Sequence, residues 1–473
     1  VDVGVRNRLH KGFGANIYNQ GVTIIVQLVG VPVLLYAWGV ELYGEWLILF
    51  AIPAYLSMSD LGFTLSAAND MTTKVAYNDR VGALVVFQSL SALVHGVIVF
   101  ALILTTCLLF CTPFSEWLPL HRMSSNEARW VLWFLAAEVF ARLADGVNHA
   151  GFRANGDYAL HLSLRSTTRL LQFSGLWVVA LWDLRPVAAA GAFFGVRSLS
   201  SIAFRLLLMQ RHRWLTFGFA HVRSAELRRL FKPALANIAI PFSQTLNIQG
   251  MVLVIGSVLG SVAVVTFSTL RTLTRIAFQL VRSVSNAIEP EIARAYGRQD
   301  PGEMNSLFLH GLRASLWLAF AAGICLFVFG ELILSLWTKG KVSMDSVLFT
   351  WLVISSVSSV LWYGALIVLK AANIHVRAAC FLFLSSAIAV GIAAVLLLWT
   401  GHLANAGLSL LIIDAVMVYY TLHSTSRFIG VRPVLFLSRA INPFSLIKLV
   451  FRSDLNFPKK QNINVGYQKR KYQ

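Results

Sequence analysis

Charge is what this chain has least of. Lys, Arg, Asp and Glu together make up 13% of its 473 residues, where a soluble domain carries about 25%. Acid is the scarcer half, with 21 Asp and Glu against 40 Lys and Arg. Cysteine is nearly absent too. Cys107, Cys111, Cys325 and Cys380 all fall inside apolar runs without metal spacing, which excludes a disulfide framework and reads as small hydrophobic filling. No nucleophile–base pair, metal-ligand spacing or phosphate-cradling glycine motif stands out, so the chain is not expected to be an enzyme or to hold a cofactor or metal. No connection between apolar runs is long enough for an external folded domain.

What is there is hydrophobic residue, 57% of the chain, at a mean hydropathy of +0.68. The surplus of base, +19, lies in loops and tails between the apolar runs. It therefore follows the positive-inside rule rather than forming the basic face of a nucleic-acid-binding domain. Twelve spans are expected, at about 13–38, 44–66, 81–111, 126–150, 160–182, 187–209, 233–257, 261–285, 307–330, 345–369, 376–399 and 403–424. The opening Val1-Asp2-Val3 does not resemble a cleavable signal peptide, and the first apolar run is expected to be a spanning helix.

Basic and base-poor connections alternate. Arg6, Arg8 and Lys11 precede the first span, Lys74 and Arg80 follow the second, and Arg153 follows the fourth. A linker at 210–232 holds six bases, and a tail from 425 holds ten more. The intervening loops carry Glu41 and Glu45, or Asp183 beside Arg185, and the longest are placed at 112–125 and 331–344. Both termini are therefore expected in the cytoplasm.

Ala15-Asn16-Ile17 recurs as Ala236-Asn237-Ile238, Ala76-Tyr77 as Ala295-Tyr296, and Arg153-Ala154 as Lys370-Ala371. Their near-constant offset implies a six-span unit used twice. The expectation is an all-α polytopic membrane protein of twelve transmembrane helices in two six-helix lobes, related by a pseudo-two-fold axis along the membrane normal. The N-terminal lobe is 1–209, the linker 210–232, the C-terminal lobe 233–424 and the tail 425–473.

The segment 268–286 departs most from an apolar span. Arg271, Arg275, Gln279, Arg282 and Asn286 recur at spacings of 4, 4, 3 and 4, one stripe about 80° wide on a helix. A charge at membrane depth costs about 3 kcal/mol on insertion scales, so three arginines on one stripe imply a wet, cationic cavity. Arg271 and Arg275 are the expected ligands of an anion, with Gln279 on the same binding stripe; Arg282, nearer the inner interface, is either an entry-side contact or a snorkelling end.

Amides stripe the first span (Asn16, Gln20, Gln27, with Thr23) and the seventh (Asn237, Gln244, Asn247). They either line the same cavity or bond neighbouring helices. Span 4 carries Glu138, Arg142, Asp145 and His149 on one face, and span 5 offers His161, Arg165, Arg169 and Gln172; Glu138 and Arg142 are spaced as an ion pair. Asp60 and Asp414 are isolated acids that could couple a proton or hold helices together. Arg197 and Arg205 on span 6 are expected to anchor to headgroups.

The stretch from Asn16 to Phe63 has an amide-rich helix ending at Trp38-Gly39, then Tyr43-Gly44-x-Trp46 and Asp60-Leu61-Gly62-Phe63. With NAIEPEIARAY at 286–296 and Arg153-Ala154-x-Gly156, it resembles the polysaccharide-export and O-antigen flippase family of the multidrug, oligosaccharidyl-lipid and polysaccharide exporter superfamily. The resemblance implies a flippase in the bacterial inner membrane that moves an undecaprenyl-diphosphate-linked oligosaccharide by alternating access; membrane lipids and other polysaccharide-assembly proteins are the expected partners, and a monomer is the default expectation. Spans 1, 2, 7 and 8 would line its cavity. A drug or cation antiporter of the same superfamily would instead show an acidic or apolar centre, and a polysaccharide polymerase would need a large external loop.

Cysteines introduced at Ser224 and Gly340 are expected to react with impermeant reagents from opposite sides of the membrane. Labelling of both from one side would overturn the topology.

Overall fold

The computed structural model describes residues 3–56, 61–113, 118, 120–372 and 374–429. These residues are helical almost throughout: α1 Val3–Leu56, α2 Leu61–Ala76, α3 Arg80–Cys111, α4 Ser125–Ala154, α5 Tyr158–Leu181, α6 Pro186–Arg211, α7 Ser224–Thr245, α8 Met251–Gly297, α9 Pro301–Thr338, α10 Ser346–Ala371, α11 Val376–Thr400 and α12 Ala404–Ile429. A π-turn, Leu246–Gly250, joins α7 to α8. Asp60 lies outside the described residues, as does the tail beyond 429.

Eight helical stretches among the described residues are long and apolar enough to cross a membrane, and two of these, Lys11–Leu56 and Ile240–Gln279, run to 46 and 40 residues. Each long one is two rods. Gly39 (φ 71°, ψ −178°) breaks α1 and Gly260 (φ 81°, ψ −177°) breaks α8, in a backbone region essentially reserved for glycine. The breaks bring these stretches to ten rods, and α4 and α5 complete twelve. Those two fall outside the apolar set because they carry the charged faces foreseen from the sequence.

The two glycine breaks lie 221 residues apart, the offset of the Asn16 and Asn237 segments. The duplication continues through the next turn. Asn78 and Gln299 are both left-handed. Asp79 N–H donates to the Lys74 carbonyl at 2.9 Å and Asp300 N–H to that of Ala295 at 3.0 Å. Each aspartate then caps the following helix, accepting from Gly82 and Glu303 N–H respectively. This register pairs Ala76 with Gly297, so the Ala76-Tyr77 and Ala295-Tyr296 match is two residues out of step. The third match holds: Asn155 N–H donates to the carbonyls of Arg153 and Gly151, and Ala372 N–H to those of Lys370 and Val368.

The chain passes from one compact unit, Val1–Val265, to a second, Thr266–Gln473, within α8. In the first, Ala67 and Met71 of α2 pack with Phe87 and Leu90 of α3, Phe140 and Val147 of α4 and Leu208 of α6. Large apolar side chains point outward instead on α3 (Phe100, Ile103), α9 (Phe327, Leu336) and α11 (Leu398, Trp399), as a lipid-facing surface requires.

Three sequence expectations shift. The linker is shorter, because α7 starts at Ser224 and Arg229 pairs with both Glu226 and Asp70. The 331–344 loop shrinks because α9 runs to Thr338, where left-handed Lys339 ends it. Glu45 is a fully buried carboxylate rather than a loop acid. It accepts from the N–H groups of His121 (2.5 Å), Arg122 (2.6 Å) and Met123 (2.8 Å), and so secures the segment that leads into the Ser124–Glu127 capping box of α4.

Gly39→Ala and Gly260→Ala are each expected to cost about 1–3 kcal/mol of stability, read as lower melting temperatures in detergent. Gly175→Ala, at a helical site with nothing within 4 Å of the added carbon, should not lower it.

Candidate functional site: two charged helix faces

In the N-terminal unit the charges of α4 meet those of α5 and α6. Asp145 is 1% exposed. Its Oδ1 lies 3.2 Å from His161 Nε2, and its Oδ2 lies 3.3 Å from Arg197 and 3.5 Å from Arg165. His161 Nδ1 in turn sits 3.1 Å from His149 Nδ1. About two turns earlier, Glu138 pairs with Arg142 at 3.4 Å and accepts from Gln172 at 3.2 Å. The expected Glu138–Arg142 pair is therefore present. Arg197 does not reach headgroups as expected: it is 4% exposed, because a buried Asp145 needs a cation beside it. Arg205 stacks 3.9 Å from the Phe217 ring centroid.

The first span contributes through a slightly different face from the one read in the sequence. Arg169 donates to Thr23 Oγ1 and Ser166 to Asn19 Oδ1, both at 3.0 Å, while Tyr18 and Thr167 share a hydrogen bond of 3.0 Å. Asn19 and Tyr18 had no signal beyond polarity next to the stripe. Asn16 is exposed and donates back to the Gly12 carbonyl at 2.9 Å. Gln20 and Gln27 are half-buried. On the seventh span Gln244 is exposed and Asn247 lies half-buried in the π-turn; the side chain of Asn237 lies outside the described residues.

In the second unit the α8 arginines spread over three environments. Arg271 is half-buried over the Phe267 ring at 5.4 Å, Arg275 is exposed, and Gln279 is half-buried. Arg282 does not simply snorkel. It donates to Ser359 Oγ at 3.0 Å and lies 5.2 Å from the Tyr363 ring centroid, both on α10. Asp414 is 5% exposed and accepts from Ser355 Oγ at 2.5 Å and Trp362 Nε1 at 2.8 Å. It holds α12 to α10, the helix-contact role among those foreseen.

This contact repeats the one in the first unit. Asp145 and Arg197 are 52 residues apart and so are Trp362 and Asp414; each member is offset by 217. One inter-helix bond is built twice, with the acceptor moved from the first helix of the pair to the second. The residues that sequence reasoning missed in α10, Ser355, Ser359 and Trp362, occupy the places of Glu138, Arg142 and Asp145. The 217 offset was the signal that could have found them.

The fold is one that solved membrane transporters share. An inward-facing multidrug resistance MATE family transporter of the MOP superfamily aligns with a TM-score of 0.68 at 15% identity, over 88% of this chain and 94% of that one. The lipid II flippase MurJ, in an inward closed conformation, aligns with a TM-score of 0.68 at 12% identity, over 93% and 92%. The MATE multidrug transporter DinF-BH in complex with R6G gives 0.63 at 14%, over 88% and 95%. No family model matches the chain, and no curated protein matches it in sequence.

Asp145→Asn removes the carboxylate that Arg197 and Arg165 share. A loss of about 3–5 kcal/mol of stability is expected, measured by thermal unfolding of the purified protein.

Proposed function

We propose that the protein is a flippase that carries a diphosphate-linked lipid oligosaccharide across a membrane, with Arg271 and Arg275 as ligands of the diphosphate. The observation that carries this reading is where the α8 arginines stand in the repeat. The positions 221 residues earlier are Phe50, Ala54 and Leu61, in place of Arg271, Arg275 and Arg282. The other copy of the repeat is built without charge at these places, and an anionic cargo accounts for the difference.

Arg271 is about 15 Å along the rod that begins after Gly260, near the middle of a bilayer. A diphosphate with attached sugars cannot cross about 30 Å of hydrocarbon unaided. Guanidinium forks bind phosphate oxygens in pairs and stay charged at any physiological pH. Likeness in fold to a lipid II flippase supports a lipid cargo. In this reading the lipid is undecaprenyl-linked, the protein sits in a bacterial inner membrane with both termini in the cytoplasm, and the amides of spans 1 and 7 meet the sugar.

A drug antiporter is the second reading, supported by likeness in fold to multidrug transporters. A cationic drug would want an accessible acid. Asp414 is buried and already accepts from Ser355 and Trp362, which favours the anionic cargo.

In proteoliposomes with a defined lipid-linked oligosaccharide, Arg271→Ala and Arg275→Ala should each reduce flipping at least tenfold without loss of folded yield. Arg→Lys at either site should retain part of the activity, since charge persists but the paired donors are lost. Wild-type rates in both alanine variants would overturn the assignment.

A further inference from the structure

We propose that the N-terminal unit holds an anion site of its own, for a phosphate or diphosphate group, built from Arg142 on α4 and Arg165 and Arg169 on α5. The charges do not balance there. Two carboxylates, Glu138 and Asp145, face four guanidiniums, Arg142, Arg165, Arg169 and Arg197. The carboxylate oxygens are already engaged: Asp145 by His161, Arg165 and Arg197, Glu138 by Arg142 and Gln172. Among the described residues Arg169 reaches only the neutral hydroxyl of Thr23, at 3.0 Å. Two positive charges are left over, as many as a dianion would neutralise.

Exposure sorts the cluster into two layers. Asp145, His161 and Arg197 are 1%, 0% and 4% exposed and serve to lock three helices. Arg142 and Arg165 keep 41% and 39% of their side-chain surface exposed, and Arg169 is half-buried. Of these outer cations, Arg142 and Arg169 are far from the helix ends, and Arg165 is about two turns into α5. Arg169 is the twelfth of 24 residues in α5, about 17 Å from either end, beyond the reach of a snorkelling side chain. Exposed arginines at that depth face water, not lipid. Hydroxyls of Thr23, Ser166 and Thr167 border the same face, and Arg142 Nε is buried without an acceptor.

A guanidinium cluster with spare donors and surplus charge recognises phosphate oxygens. The phosphate could belong to the cargo or to a membrane phospholipid headgroup. Use of the site in transit rests on the flippase reading above; binding does not.

The test uses the full-length chain carrying Arg271→Ala and Arg275→Ala, in nanodiscs, titrated with inorganic pyrophosphate by calorimetry. Pyrophosphate should bind this background, which makes the result independent of the α8 assignment. Arg142→Gln and Arg169→Gln should each weaken binding at least tenfold, and the lysine variants, which keep the charge on the fold, several-fold. Competition by phosphatidylglycerol in the disc would assign the site to headgroups, and its absence to a cargo phosphate. No pyrophosphate binding by the background, or binding that none of the four variants weakens, would overturn the site.

Discussion

A carboxylate inside a membrane bundle must be answered by a cation or by strong donors, since its desolvation costs several kcal/mol. Asp145 sets that demand in the N-terminal unit. His161, Arg165 and Arg197 meet it, and in doing so they fix how α4, α5 and α6 pack. The outer arginines follow from the same arrangement. Once the inner acid is satisfied by inner bases, Arg142 has Glu138 as its carboxylate, and Arg169 reaches only the neutral Thr23 hydroxyl among the described residues.

Duplication explains which features recur and which do not. Left-handed Gly39 and Gly260, and the capping aspartates Asp79 and Asp300, are local devices that the backbone needs in each copy. The bond between the fourth and sixth helices of each copy also recurs, because those helices need one polar clasp. Either helix can supply the acid, so Asp145 with Arg197 in one unit becomes Trp362 with Asp414 in the other. Surplus positive charge is free of this constraint. It collects on α4 and α5 in the first unit and on α8 in the second.

Both surpluses carry the same sign, and this bears on cargo. Acids are few in this chain, and among the described residues Glu138, Asp145 and Asp414, buried within the spans, are engaged by neighbouring donors. In the flippase reading proposed above, an anionic cargo would meet the arginines of α8, while the buried acids among the described residues already have donors.

The twelve rods, the two-fold use of a six-helix unit and the arginine stripe on α8 were all legible in the sequence. Each depends on local composition or periodicity: apolar length for a span, offset for a repeat, 3.6-residue spacing for a face. The Glu138–Arg142 pair was legible for the same reason, being four residues apart on one helix. The tertiary structure alone decided which long-range partners the polar groups take. Arg197 looked like a headgroup anchor and is a core cation, Glu45 looked like a loop acid and secures a backbone segment, and Arg282 looked like a snorkelling end and is held by Ser359 and Tyr363. Spacing along one helix says which residues share a face. It does not say what that face meets, because the partner lies on another helix tens of residues away and is chosen by packing.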